Sequence, residues 1–111
     1  MTVLITGANG LVGERLLPRL VQSGFDCRVL LRAGKTCPAG AEAVTGDILD
    51  PSTLPNALNG VSAVVHLAAV FRTQDTDLIW KCNLDGTRNL IAAVKVHAPD
   101  ARFILSSTSH V

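Results

Sequence analysis

The feature that most constrains the fold lies at the start of the chain, where an apolar run stops at a glycine-rich segment. Residues 2–6, TVLIT, predict a buried strand, and an apolar helical stripe occupies residues 11–23. Between them lie Gly7, Gly10 and Gly13, at intervals of three. Glycine is common in ordinary turns, but a strand, a glycine triplet and a helix in this order favour a loop that binds a dinucleotide pyrophosphate.

Strand-like and helix-like segments alternate along the rest of the chain. Further strands are predicted at 27–32, 41–47, 62–70 and 101–107, and helices at 51–58 and 77–98. Because the strands are continuously apolar, both faces of their sheet must be covered, which is typical of parallel strands. Right-handed crossovers then predict an α/β fold, a Rossmann-type doubly wound parallel sheet with the strand order 3-2-1-4-5. Pro18 lies inside the first helix and is expected to cost it a hydrogen bond.

Length and composition indicate one domain, 1–111, since the sequence has no repeats, low-complexity tracts or linkers. Ten Lys and Arg residues against nine Asp and Glu residues leave no basic excess, so we expect neither nucleic acid nor an anionic membrane surface as a partner. The apolar runs are shorter than the roughly 20 residues of a membrane-spanning helix. The first residues also lack the charged region and cleavage site of a signal peptide, and we expect a cytoplasmic protein.

The cysteines do not indicate a metal site. Cys27, Cys37 and Cys82 are odd in number and show no C-x-x-C spacing, which argues against zinc or redox chemistry. Buried free thiols, in a reducing cytoplasm, are the better explanation. No metal ligands are predicted elsewhere in the sequence.

The end of the second predicted strand indicates which dinucleotide the chain prefers. In such folds an acidic residue about 20 positions beyond the glycines accepts hydrogen bonds from the adenosine ribose and favours NAD. This chain has Leu31 and Arg32 at that place, with Lys35 nearby. Because a guanidinium can bind a 2′-phosphate through two hydrogen bonds, the sequence favours NADP over NAD. The alternative is a surface arginine that ends a strand.

Five segments, in this order along the chain, carry a resemblance to a known family: TGANGLVG at 6–13, GDILD at 46–50, VVHLAA at 64–69, NLDGTRNL at 83–90 and FILSST at 103–108. Together they resemble the extended short-chain dehydrogenase/reductase superfamily, which includes the NAD(P)-dependent epimerases and dehydratases. The resemblance covers nearly the whole chain. The segment LLR at 30–32 is similar to members that prefer NADP.

The resemblance implies a cofactor site at the carboxyl ends of the strands. Its phosphate loop would contain Gly7, Asn9, Gly10, Leu11 and Gly13. The adenine ring would contact Asp47 and Ile48, the ribose side would be lined by Ala68, Ala69 and Val70, and the nicotinamide side would be supported by Ser106 and Ser107. Taken alone, Asp47 is more simply a turn or helix-capping residue, and the alanines are equally ordinary packing residues.

The long predicted helix carries two residues that the family keeps. The resemblance implies that Asn83 bonds to the neighbouring backbone and that Gly86 lets the helix approach the sheet. A polar side chain on an otherwise apolar helix face needs a partner. We therefore interpret Asn83 as a structural residue first.

The resemblance also implies a catalytic residue, Thr108, whose hydroxyl would hydrogen-bond the reacting oxygen of the substrate. The alternative is a polar strand end that makes turn hydrogen bonds. In the family a tyrosine and a lysine, in a Tyr-x-x-x-Lys pair, move the proton, yet this sequence contains no tyrosine. The histidines are poor replacements: His66 lies in a packed strand, His97 near the end of a helix and His110 at the chain terminus.

The sequence thus predicts the cofactor-binding part of an epimerase, dehydratase or reductase that transfers hydride between nicotinamide and a carbonyl or hydroxyl carbon. We expect it to be truncated before the sixth strand and inactive as this chain. The alternative is a non-catalytic NADP-binding sensor or regulatory module. In either case the last strand would be an open sheet edge, at which a homodimer could form. The sequence does not indicate a substrate.

Overall fold

The computed structural model describes residues 1–8, 10–67, 77 and 81–105, without the side chains of Leu11 and Cys82. Strands and helices alternate along these residues, as the sequence predicts, except that a loop without a helix joins the second strand to the third. The strands are β1 (Thr2–Thr6), β2 (Asp26–Leu31), β3 (Ala41–Thr45), β4 (Ala63–His66) and β5 (Arg102–Leu105). The helices are α1 (Leu11–Gln22), α2 (Leu54–Leu58) and α3 (Gly86–His97), with a 3₁₀ turn at Pro51–Thr53 and a π-helical segment at Lys81–Asp85.

The strands of the described residues form one parallel sheet in the order β3-β2-β1-β4-β5, which confirms the predicted order. In its register, Thr6 of β1 pairs with Leu30 of β2 and with His66 of β4. His66 in turn pairs with Leu105 of β5. The carboxyl ends of the strands therefore meet at one edge of the sheet, and the segments that follow them lie side by side.

Helices cover both faces of the central strands, which explains why β1 and β4 are almost entirely buried, whereas the edge strands β3 and β5 are mostly exposed. On one face, Leu4 and Val64 belong to a buried cluster with side chains of α2 and α3. On the other face, Ile5 and Val29 form a second cluster with Leu17 of α1. Successive residues of a strand point to opposite faces, and Leu4 and Ile5 are both fully buried. The Rossmann-type doubly wound fold is therefore confirmed.

The first helix passes through Pro18 without interruption. Pro18 lies on its exposed face, while the neighbouring Leu17 is buried. Proline lacks the N–H that would bond to the carbonyl of Glu14, but Glu14 is exposed as well, so water can satisfy that carbonyl. The hydrogen bond lost at Pro18 is thus placed where its cost is small.

Several elements end earlier than their apolar patterns predict. The third strand was expected over 41–47 but ends at Thr45, because the amide of Asp47 bonds to the Thr53 hydroxyl at 3.0 Å instead of to a neighbouring strand. The fourth strand, expected over 62–70, ends at His66 within the described residues. A 3₁₀ turn and a short helix replace the single helix predicted at 51–58, and the carboxylate of Asp50 accepts the Ser52 amide at its start.

Candidate functional site

The glycine-rich loop joins β1 to α1 at the carboxyl edge of the sheet. Gly7 has a positive φ of 77°, a conformation that favours glycine. Its carbonyl accepts the amide of Gly10 at 3.0 Å, which closes a tight turn. A Cβ at Gly13 would lie 2.5 Å from the Gly7 oxygen and 2.6 Å from Cα of Ala8, so only glycine allows α1 to approach the loop this closely.

The start of α1 has the properties of an anion site. Its N-cap residue is Gly10, in an extended conformation and without a side-chain cap. The first amides of a helix have no partner within the helix, and the helix dipole places positive potential beside them. The backbone around Gly10 and Gly13 can therefore receive a pyrophosphate, which is what the sequence motif predicts. Of the other predicted loop residues, Asn9 lies outside the described residues, and only the backbone of Leu11 is described.

The segment after β2 is an exposed turn with two cationic side chains. The buried Leu31 ends the strand, and Arg32 and Lys35 are both exposed. The Lys35 amide donates to the Arg32 carbonyl at 3.2 Å, and Gly34 within this turn has a φ of 85°. The sequence supplies no carboxylate between Leu31 and Lys35, so the positive charge at this end of β2 is not neutralised by a neighbouring residue in the turn.

Asp47 organises the segment that follows β3. Its Oδ1 accepts the amide of Leu49 at 2.9 Å, and its carbonyl accepts the amide of Asp50 at 2.9 Å. This arrangement is the turn that the residue taken alone predicts. Among the described residues, the second carboxylate oxygen of Asp47 and the amide of Ile48 have no hydrogen-bond partner. A free acceptor and a free donor thus stand on adjacent residues.

The α3 helix holds Ile48 from the other side. A Cβ at Gly86 would lie 2.5 Å from Cδ1 of Ile48, and the amide Nδ2 of Asn89 donates to the Ile48 carbonyl at 2.9 Å. The close approach predicted between Gly86 and the sheet is therefore an approach to this segment, because the Ile48 side chain is buried in the cluster between sheet and helix. Sequence reasoning missed Asn89, although its position three residues after Gly86 places both on one face of the helix.

His66 connects three elements at the same edge of the sheet. The residue is only 2% exposed, with Nδ1 2.5 Å from the Thr6 hydroxyl and Nε2 2.9 Å from the Thr87 hydroxyl. The ring of Phe103 lies beside it, with the ring centroids 6.3 Å apart. Burial lowers the pKa of this imidazole. Because a neutral ring has one donor and one acceptor nitrogen, one threonine hydroxyl donates to it and the other accepts from it.

This geometry agrees with the interpretation of His66 as a packing residue and gives it specific partners. The Thr6 hydroxyl also receives the amide of Leu67 at 3.1 Å, so the ends of β1 and β4 are joined through side chains as well as backbone. His97 is exposed at the end of α3. Neither Thr6 nor Thr87 was singled out from the sequence, since a lone threonine carries no pattern that identifies its partner.

The remaining predicted residues of the site are not described by the structure. They are Ala68, Ala69, Val70, Ser106, Ser107 and Thr108, and His110 lies with them outside the described residues. Their roles stay predictions. Asn83 is described: it is half-buried in the π-helical segment before α3 and is not without a partner.

The cysteines and the other ionisable residues form no metal centre within the described part of the chain. Cys27 is a buried free thiol, and burial together with the neighbouring Asp26 raises its pKa. Cys37 is a free thiol and half-buried, with Sγ 3.3 Å from the Ala41 carbonyl. Over the same described residues, no helix combines the length and apolar character needed to cross a membrane.

Known proteins are similar to this chain in sequence and in architecture. The sequence model of the NAD dependent epimerase/dehydratase family matches residues 3–111. Ceramide reductase from Caulobacter vibrioides is 36% identical over 110 residues, which are 96% of this chain and 34% of that protein.

Two solved structures are similar to this chain over nearly its whole length. A short-chain dehydrogenase/reductase superfamily protein from Agrobacterium tumefaciens with bound NAD is 32% identical, with a TM-score of 0.80 over 97% of this chain and 33% of that chain. A variant of uronate dehydrogenase from the same organism, complexed with NAD, is 25% identical, with a TM-score of 0.82 over 98% of this chain and 41% of that chain. The chain therefore spans about a third of the curated relative and a third to two fifths of these structures.

Proposed function

Because the chain belongs to the NAD dependent epimerase/dehydratase family, we propose that it is the dinucleotide-binding part of an enzyme that transfers hydride between nicotinamide and a carbonyl or hydroxyl carbon. The observation that carries this proposal is the glycine-rich loop. Gly13 brings α1 against Gly7 and Ala8 so closely that a Cβ there would lie 2.5 Å from the Gly7 oxygen. This close packing places the N-terminus of α1, where Gly10 provides no side-chain cap, beside the loop, and its free amides can receive a pyrophosphate.

The segment after β3 would bind the adenine ring. The Watson–Crick edge of adenine offers one amino donor and, beside it, the acceptor N1. Asp47 has an unused carboxylate oxygen and Ile48 an unused amide N–H, among the described residues, so the two groups complement that edge. The remaining contacts of Asp47 within its turn hold its carboxylate in place for this role.

The cofactor we propose is NADP. The solved relatives named above hold NAD, but the exposed Arg32 directly after β2 has no acidic neighbour in its turn and is suited to a 2′-phosphate. Lys35, exposed in the same turn, adds positive charge. A bound nicotinamide would supply the hydride chemistry, and the protein's share is to orient it and exclude water.

Catalysis needs more than this chain supplies. Thr108 would hydrogen-bond the substrate oxygen, with Ser106 and Ser107 on the nicotinamide side. The sequence contains no tyrosine to transfer the proton, so we propose that the 111 residues alone bind the cofactor without turning over a substrate. We place the protein in the cytoplasm, where free thiols such as Cys27 and Cys37 persist.

A second candidate function is a non-catalytic NADP-binding module that dimerises through β5. The observation that favours it is the exposure of Ile104 and Leu105, 49% and 52%, on this edge strand. Apolar edge strands pair readily with further strands. A dimer that breaks on Ile104→Lys, measured by sedimentation at increasing protein concentration, would support this candidate.

The proposed site is tested most directly by nuclear magnetic resonance of the ¹⁵N-labelled chain. Addition of NADPH is expected to shift the amides of Gly7, Gly10 and Gly13, of Ile48 and of Arg32, and to leave the amino ends of the strands unchanged. Shifts confined to other surfaces, or no shifts at millimolar NADPH, would contradict the proposal.

A further inference from the structure

We propose that Asn89 is a positioning residue that sets the discrimination of the cofactor site for adenine. This inference rests on the proposed function, because it concerns the same dinucleotide site. It adds a residue of α3, distant in sequence from every motif that the adenine contact involves. Asn89 would not touch the nucleotide; it would act through Ile48.

The contact between the helix and the adenine segment is specific. Nδ2 of the half-buried Asn89 donates to the Ile48 carbonyl at 2.9 Å, across 41 positions of the sequence. The hydrogen bonds of Asp47 and Asp50 stay local, within this segment and with the 3₁₀ turn that follows it. Among the described residues, Asn89 therefore provides the hydrogen bond that ties the segment to α3.

Two constraints from α3 fix the orientation of Ile48. Its side chain packs against Gly86, where a Cβ would lie 2.5 Å from Cδ1, and its carbonyl is held by Asn89. With the side chain and the carbonyl held, the tetrahedral geometry at Cα fixes the position of the Ile48 amide nitrogen. The direction of its N–H is set by the peptide plane that it shares with the Asp47 carbonyl, which accepts the Asp50 amide at 2.9 Å and the Thr53 hydroxyl at 3.1 Å. That N–H has no protein partner among the described residues and is the donor offered to adenine N1.

A purely structural role for Asn89 would have a different consequence. Loss of its hydrogen bond would then lower the free energy of unfolding and weaken the binding of every nucleotide equally. A positioning role alters the relative affinity for two bases that differ only on the edge that Ile48 and Asp47 face. Hypoxanthine provides that comparison, since it carries an acceptor in place of the amino group and a donor at N1.

The experiment titrates the chain, in a calorimeter, with NADPH and with its deamino form, nicotinamide hypoxanthine dinucleotide phosphate. NADH and deamino-NADH are titrated in parallel. We expect the unmodified chain to prefer the adenine form. Asn89→Asp, which keeps the shape and removes the donor, should reduce this preference about fivefold, as expected for one hydrogen bond. Asn89→Leu should act in the same direction, and Asn56→Asp, at an exposed position of α2, is the matched control.

The outcomes distinguish failure of the positioning role of Asn89 from failure of the proposed dinucleotide site. An unchanged adenine preference in folded Asn89→Asp and Asn89→Leu, verified by circular dichroism, overturns the positioning role and leaves the dinucleotide site standing. If neither variant folds, Gly86→Ser provides the test, because its side chain displaces Ile48 while Asn89 is kept; an unchanged preference there also overturns the inference. If the unmodified chain binds none of the four nucleotides, both proposals fail.

Discussion

The imidazole Nε2 of His66, at the end of β4, lies 2.9 Å from the hydroxyl of Thr87 in the first turn of α3. The same ring contacts the Thr6 hydroxyl through Nδ1. A side chain that is 2% exposed thus links two strands and a helix where the cofactor segments begin. The arrangement suits a neutral ring between two hydroxyls, so the stability of the fold should depend on the protonation of His66.

The first prediction concerns pH. Burial holds the pKa of His66 below its ordinary value, so the unfolded chain binds a proton at a higher pH than the folded one. The free energy of unfolding should therefore fall as the pH is lowered through about 6.5, by at most about 1.4 kcal/mol per pH unit. Urea unfolding followed by circular dichroism at pH 7.5, 6.5 and 5.5 measures this dependence.

Substitution tests whether His66 is its source. His66→Gln should be less stable at pH 7.5, and its stability should vary less between pH 7.5 and 5.5. His97→Gln, at an exposed position, serves as control and should keep the pH dependence of the unmodified chain. An identical pH dependence in His66→Gln would rule out this residue as the origin.

The second prediction concerns the glycine-rich loop. A Cβ at Gly13 would overlap backbone atoms of Gly7 and Ala8, at 2.5 and 2.6 Å, whereas a Cβ at Gly10 would lie 3.3 Å from the Gly7 oxygen. Gly13→Ala should therefore destabilise the chain by about 1–3 kcal/mol, as overpacking does. Gly10→Ala should cost clearly less in the same urea titration. Equal losses for the two variants would mean that α1 does not approach the loop as described.

How far the sequence predicts this molecule depends on the kind of feature. The layered architecture follows from continuously apolar runs such as 2–6, because a strand buried on both faces needs helices on both sides, and right-handed crossovers then predict the sheet order. The contact from Asn89 to Ile48 could not be predicted, because its partners are 41 residues apart, and the spacing of Asn89 from Gly86 indicates a shared helix face but not the partner. The end of β3 was misplaced for a similar reason, since Thr53 competes for the Asp47 amide.

The third prediction concerns another contact that sequence reasoning does not find. Arg28, half-buried in β2, donates through Nη1 to the carbonyls of Ala57 and Asn59, at 2.9 and 2.7 Å, at the end of α2. Arg28→Ala leaves these carbonyls without their donor and should lower the free energy of unfolding by about 1–3 kcal/mol. Its ion pair with Glu42 contributes little, because the Glu42 side chain is 69% exposed.

Two further variants check this assignment. Glu42→Gln should change the free energy of unfolding by less than about 1 kcal/mol, since it leaves the bonds to Ala57 and Asn59 intact. Arg102→Ala, at an exposed arginine at the amino end of β5, should be close to neutral. If Glu42→Gln costs as much as Arg28→Ala, the ion pair and not the helix end is the stabilising contact.

The central claim, a dinucleotide site that prefers NADP through Arg32, is tested most directly by calorimetric titration of the unmodified chain and Arg32→Ala with NADPH and NADH at matched salt. Arg102→Ala, far from the carboxyl edge of the sheet, is the control. We predict that NADPH binds the unmodified chain about 10- to 100-fold more tightly than NADH, as charged hydrogen bonds to a phosphate would give, and that Arg32→Ala removes most of this difference. Equal affinities for the two nucleotides in the unmodified chain, or no binding of either, would contradict the account.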